Sequence, residues 1–285
     1  MTLTRSRTLW LRTEPLHAVI YFEERCRTLG RALGLKGFWM GYFAARTAPM
    51  GTVEPGAAAA ALGVFAPGMV ARALPSAWQY VSPGRVVEER AAYTAGALRA
   101  LVPDIEDRAA ELCPPLAAMV EDAPSPARPL FTANRDVSER ADPVQRLWQL
   151  VTCVREFRGD AHVAALADHG LDACEALVLA GATERVDAGT IRQDRGWSEE
   201  EWERAVDRLR GRGFLDGSGH ITEHGRTERE LVEDATDRLS ARLLRPLDAR
   251  AADRLLAALD HPARQILAAD MLPFPNPIGL PRPAG

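Results

Sequence analysis

Residues 154–166, VREFRGDAHVAAL, hold Arg155, Glu156, Arg158, Asp160 and His162 in an otherwise apolar frame. On a helix, Arg155, Arg158 and His162 stand at i, i+3 and i+7 and share one face. Guanidinium forks on such a face bind carboxylate, phosphate or sulfate bidentately. A histidine beside them titrates near neutrality and can move a proton. The chemistry expected here is acid–base catalysis on an anionic metabolite, with His162 and Asp160 as proton-transfer groups and Arg155 and Arg158 as the clamp. The plainer alternative is a solvated helix face with His162 buried and satisfied.

A second polar group lies near the N-terminus, where Glu14, His17 and Tyr21 fall in one helical stretch with His17 and Tyr21 a turn apart. Tyr42 and Arg46 are likewise four apart, in the aromatic segment GFWMGYFAARTA. Polar groups on helices this apolar are costly to bury unless paired. We expect these helices to face residues 154–166 across a central pocket. His17 would then be a third catalytic candidate, and Tyr42, Arg46 and Tyr21 would contact substrate.

Helical periodicity dominates the elements that must position these groups, and strand-like alternation is nearly absent. A first helix is expected to begin near residues 13–15, with a proline in its first turn. Further helices are expected near 84–101, 104–121 and 142–168. The organisation read from this pattern is an N-terminal helical domain over 1–122, a linker over 123–141 and a C-terminal domain over 142–272. A proline-rich tail, 273–285, closes the chain. It cannot be helical, and it reads as a frayed end in preference to an arm around a partner subunit. Residues 34–78 and 170–214 share a Gly-Leu start, an apolar helix, a short helix ending in Gly63 or Gly196, and a last helix before an aromatic residue. The offset, about 136 residues, points to a degenerate internal repeat of one helix-turn-helix unit.

Residues 172–240 resemble the winged-helix domain of MarR-type regulators. The match rests on TIRQDRGW, the helix SEEEWERAVDRLRGRGFL, a turn at DGSG, then HITEHG and a long helix. The implied fold is mainly α, with two degenerate winged-helix or helix-turn-helix repeats packed with long helices and a small β-hairpin wing in the second. The charges of the presumed recognition helix oppose DNA reading. Its first turns hold Glu199, Glu200, Glu201 and Glu203, and residues 187–230 contain eight arginines against eleven carboxylates. Phosphate neutralisation dominates DNA affinity, and such a surface cannot supply it. Arg204, Arg208, Arg210 and Arg212 are expected to pair with Glu200, Glu201 and Glu203 on the same helix.

Composition narrows the remaining options. Hydrophobic residues make up 47% and charged residues 26% of the chain, with a net charge of −4, so no global field favours nucleic acid or an anionic membrane. The four cysteines are scattered, which suits a reducing cytoplasm, and no membrane span is expected. The histidines form no metal triad, and a haem on His17 or His162 has no attachment motif to support it. Neither a metal nor a cofactor is expected.

Across most of its length the chain resembles a family of actinobacterial helix-turn-helix proteins, some encoded beside natural-product biosynthetic genes. The segments carrying this resemblance are EPLHAVIYF, GFWMGYFAARTAPMG, LPSAW and REFRGDAHVAAL, together with RGW, EEW and RGF. It implies the architecture and a setting in secondary metabolism, and brings no catalytic assignment. The leading expectation is a small-molecule-binding protein, an enzyme of lyase, cyclase or hydrolase type acting on an anionic metabolite. One alternative is a MarR-like, ligand-responsive transcriptional regulator. Another is a non-catalytic subunit, in a homodimer or bound to a different protein.

Overall fold

Local capping sets most of the helix boundaries in the computed structural model, which describes residues 4–183 and 186–282. The N-terminal half contains α1 (Arg5–Phe22), short α2 (Glu24–Arg27) and α3 (Leu29–Ala32), α4 (Gly37–Thr47), α5 (Pro55–Leu62) and α6 (Pro67–Ala73). Next come α7 (Pro83–Leu101), α8 (Ile105–Asp122), α9 (Pro129–Arg135) and α10 (Pro143–Asp168). The chain continues through α11 (Ala173–Ala182), α12 (Ala188–Asp194), α13 (Glu199–Gly211), α14 (Glu223–Ser240) and α15 (Ala249–Ala268). Helices α5, α6, α7, α9 and α10 each open on a proline, whose fixed φ suits a first turn and whose missing N–H is no loss there.

The first helix starts earlier than its proline suggests. Thr4 caps it, accepting from the Arg7 N–H, and Pro15 lies inside. The segment 123–141 carries α9, and the helix after it is the beam of the molecule. Asp142 caps α10 by accepting from the Val144 and Gln145 N–H groups at 2.9 Å. Along its length α10 packs against α1, α7, α8, α9 and α14. Val144, Leu147, Trp148, Val151 and Phe157 enter the main core, which also takes residues from α1, α4, α7, α8 and α15. Further along, Ala165 and Leu166 belong to a second core with Val178, Leu209, Phe214 and Val232. One helix thus serves both hydrophobic clusters.

The expected β-hairpin wing is not formed. Among the described residues the only β pairing is an isolated antiparallel bridge between Leu215 and Ile221. Asp216 organises the intervening turn, its Oδ1 accepting from the N–H groups of Ser218 and His220. The ladder cannot lengthen because Thr222, one residue past the bridge, already caps α14 by accepting from the Gly225 N–H. Gly225 lies so close to the bridge that a Cβ there would sit 2.3 Å from the Phe214 carbonyl oxygen.

Helices α4, α5 and α6 occupy the first segment read as a repeat, and α11, α12 and α13 occupy the second. Gly63 and Gly196, before the last helix of each, have φ of 73° and 75°. The two turns touch each other. The Ala66 N–H donates to the Arg195 carbonyl at 2.9 Å, and Trp197 Nε1–H donates to the Val64 carbonyl at 3.1 Å. Gly196 is required for two reasons, since its φ is left-handed and a Cβ would lie 2.6 Å from Met69 Cβ. Gly196→Ala should therefore destabilise the fold by roughly 1–3 kcal/mol, read by chemical denaturation. An unchanged midpoint would show that the two turns do not depend on this close contact.

Candidate ligand cavity

A cavity of about 880 Å³ lies beside α10, within the range of sites for drug-sized molecules. Arg155, Glu156, Arg158 and His162 reach it from α10, and Arg7, Trp10 and Glu14 from α1. Tyr42 and Arg46 come from α4, and Arg229, Glu233 and Thr236 from α14. The opposite side is largely apolar, with Leu62, Phe65, Leu177, Leu179 and Ile191. Arg195 joins it from the end of α12, and residues 274–282 of the tail run along one wall.

The polar side is built on a buried ionic cluster. Glu156 is 1% exposed. Its carboxylate accepts both contacts of Arg46 Nη2, at 3.1 and 2.9 Å, and one from Arg155 Nη1 at 2.7 Å. Burial opposes this charge, but Arg155 and Arg46 hold the carboxyl at about 2. Glu14 is placed differently. It is buried, accepts from Trp10 Nε1–H at 3.1 Å, and stands 4.0 Å from Arg155. Burial pushes its carboxyl upward, which favours the protonated acid. Two neighbouring carboxyls are thus driven in opposite directions. Nearer α14, Arg158 Nη1 donates to Asp237 at 2.6 Å, and Arg7 Nε donates to the same carboxylate.

The tautomer of His162 follows from its partner. Thr236 Oγ1 donates its one proton to the Val232 carbonyl at 2.8 Å, so toward His162 Nδ1, 3.1 Å away, it can only accept. The proton therefore sits on Nδ1, and Nε2 carries a lone pair on a residue of the cavity wall. Burial lowers the pKa of this imidazole, favouring the neutral form. Such a group is equipped to accept a proton.

Of the residues singled out from sequence, Arg155, Arg158, His162, Tyr42 and Arg46 line this one cavity. His17 and Tyr21 are not among its lining residues. Thr152 Oγ1 donates to the Trp148 carbonyl and accepts from His17 Nδ1–H, while His17 Nε2 accepts from the Tyr21 hydroxyl. The imidazole also stacks on Trp148, so its polar atoms are satisfied within the core. Asp160 lies away from the cavity as well. Its carboxylate accepts from the Phe131 N–H at 2.9 Å and fixes the start of α9. His17, Tyr21 and Asp160 thus hold structural positions. Sequence reasoning named Glu14 and Glu156 without giving them a role, and it left out Arg195 and also Thr236, the partner of His162. The tail was also misjudged. Its described residues are folded against the body, where Leu280 joins Leu272 and Ala18 in one hydrophobic cluster and the Asn276 side chain is bonded to both polar groups of the Leu280 backbone.

The arginines of α13 have protein partners. Arg204 pairs with Glu200, Arg208 with Asp172 and Glu175, and Arg210 with Asp207, while Arg212 donates to the His169 and Gly170 carbonyls. Only part of this pairing is intrahelical, because Arg208 and Arg212 tie α13 to the start of α11 and the turn before it. Among the described residues no group of three histidine, cysteine or carboxylate side chains could hold a metal, and no helix is long and apolar enough to cross a membrane.

A family model described as a helix-turn-helix family matches residues 6–273. No curated protein and no solved structure matches the chain.

Asp160 gives a pH test of the scaffold. Burial raises its carboxyl from 3.8 to about 7, with Glu156 adding to the rise and the backbone N–H groups of Phe131 and Leu130 opposing it. A raised acid in the folded state stabilises fully below about 3.8, and that contribution is lost as pH climbs toward about 7. Asp160→Asn keeps an acceptor for the α9 backbone and removes the titration. Its stability relative to the parent should therefore improve between pH 4 and pH 8 in urea melts. A difference that does not change with pH would exclude a buried, proton-binding Asp160.

Proposed function

The chain belongs to this helix-turn-helix family, and from that premise we propose that it binds an anionic small molecule in the cavity beside α10 and acts on it by acid–base chemistry. The observation that carries the reading is the His162 imidazole, its Nδ1 held by Thr236, in a cavity that also holds Arg46, Arg155 and the Glu14 carboxyl. In this reading the guanidiniums hold the anion, His162 Nε2 takes a proton from the substrate or from water, and Glu14 returns one to the leaving atom. Elimination, cyclisation and hydrolysis all need that pair of transfers. The setting we infer is tailoring of a natural product in an actinobacterial cytoplasm, which the four unpaired cysteines suit.

The two three-helix segments are, in this proposal, degenerate MarR-like units that form the walls and no longer read DNA. The hydrogen bonds between their turns support it, as does the pairing of the α13 arginines with neighbouring carboxylates and carbonyls. The family description favours a second reading, a ligand-responsive DNA-binding regulator. The carboxylates in the first turn of α13 weigh against it.

Thermal-shift screening against carboxylate-, phosphate- and sulfate-bearing metabolites should find ligands that raise the melting temperature of the parent protein. Arg155→Ala should lose that response. His162→Ala should keep binding and lower turnover of the active ligand by about 10²-fold or more. Tight, salt-sensitive retardation of duplex DNA, with no anionic ligand found, would replace this proposal by the regulator reading.

A further inference from the structure

Most of the charged groups on the cavity wall are matched within the protein. Arg46 and Arg155 share Glu156, and Arg7 and Arg158 share Asp237 and Glu233. Arg195 is not matched in this way. It is 8% exposed, and no carboxylate among the described residues stands within ion-pair distance of it. Of its five N–H donors, Nη2 donates to the Pro277 carbonyl at 2.7 Å, and Nε is buried with no partner. The guanidinium lies over the Phe65 ring, 4.7 Å from its centroid, which is an attraction too weak to replace a counter-charge. An arginine stays charged at any pH a protein survives, so this is a buried cation short of an anion.

The surroundings of Arg195 say what accompanies that anion. Leu177, Ala180 and Ile191 line the cavity on its side, with Phe65 beneath the guanidinium and Ile278 and Leu280 in the tail strand bonded to it. Oxygen-rich groups such as sugars would leave their hydroxyls without partners against such walls. An aryl or acyl body would meet apolar side chains there.

We propose that Arg195 is a further anion-binding residue of the cavity, in addition to Arg46 and Arg155, and that the ligand is an amphipathic anion, with a carboxylate or sulfonate reaching Arg195 and an apolar body between α11, α12 and the tail. This rests on the cavity being a ligand site and adds to it the class of ligand and a residue that selects it. The Pro277 carbonyl holds Nη2 and fixes the guanidinium in the cavity wall. Arg195 also ties the tail to the α12 end of the cavity, so the head group and the cover meet at one side chain.

The test uses two fluorescent probes with the same aromatic skeleton, 8-anilinonaphthalene-1-sulfonate and its uncharged relative N-phenyl-1-naphthylamine, each titrated into the full chain. The sulfonate should bind saturably, one per chain, and at least ten-fold more tightly than the neutral probe. Arg195→Gln keeps a donor for the Pro277 carbonyl and removes the charge. It should weaken the sulfonate at least ten-fold and leave the neutral probe within two-fold, and Arg195→Lys should recover part of the loss. Equal affinity of the parent for the two probes would overturn the assignment. So would an Arg195→Gln variant that loses both probes alike, because Arg195 would then only shape the wall. If neither probe binds the parent protein, the ligand cavity itself fails, a result distinct from loss of anion selectivity.

Discussion

A carboxylate sealed in the interior fixes the arrangement of the helices around it. Glu156 is 1% exposed, and removing an ion of that size from water costs several kcal/mol unless charged partners surround it. Arg46 from α4 and Arg155 from its own helix provide them. Each partner brings a further requirement. Arg46 lies beside the Tyr42 ring, and Arg155 reaches on toward Glu14 of α1. Apolar packing alone would let α1, α4 and α10 slide by a fraction of a turn at modest cost. The ion cluster does not, because a small slip would leave a buried charge unpaired.

A second cluster does the same two residues further along α10, at Arg158, with a different economy of groups. Asp237 accepts from Arg7, Arg158 and the Thr4 hydroxyl, and its backbone carbonyl accepts from Ser6. One carboxylate thereby joins α14 to α10 and to the first turn of α1. About one turn beyond Arg158 stands His162, held by Thr236 of α14. The imidazole is thus oriented by a helix that is itself held by ion pairs. A histidine on a loosely packed face would populate both tautomers. Here the Thr236–Val232 hydrogen bond leaves only one.

Much of this was legible in the residues. The i, i+3, i+7 relation of Arg155, Arg158 and His162 places them together, and the Tyr42 and Arg46 pair joins them from α4. Asp160 could have been excluded by the same periodicity. At about 100° per residue it stands roughly 140° around the helix from Arg155, and it faces α9 instead. His17 was misread because hydrogen-bonding polar groups look alike in sequence whether a cavity or a threonine meets them. The Thr152 that satisfies it lies 135 positions away. Arg195 was hidden for the opposite reason. It sits in a turn between two helices, where no periodicity marks a face, and its importance comes from the carboxylate that is missing. The wing was overestimated because DGSG followed by HITEHG signals a hairpin, while the cap at Thr222 that truncates this one leaves no room for a ladder.

The helix that looks most like a DNA reader has an acidic first turn, and its own neighbours account for those charges. Ser198 and Glu201 form a reciprocal capping box, so the acidic first turn of α13 is favoured by the helix dipole and by the open N–H groups. A phosphate backbone would compete for the same N–H groups and would be repelled by Glu199, Glu200 and Glu203. Behind that turn, Arg208 and Arg212 point back to α11 and the 169–170 turn, where they hold the unit together. The inner side of the α12–α13 turn is occupied as well, by the Val64 and Ala66 backbone of the other segment. Once each turn serves as the other's partner, the residues beside it are free to face inward. Arg195, whose carbonyl accepts from Ala66 while its side chain lines the cavity, belongs at once to the contact between the turns and to the cavity wall.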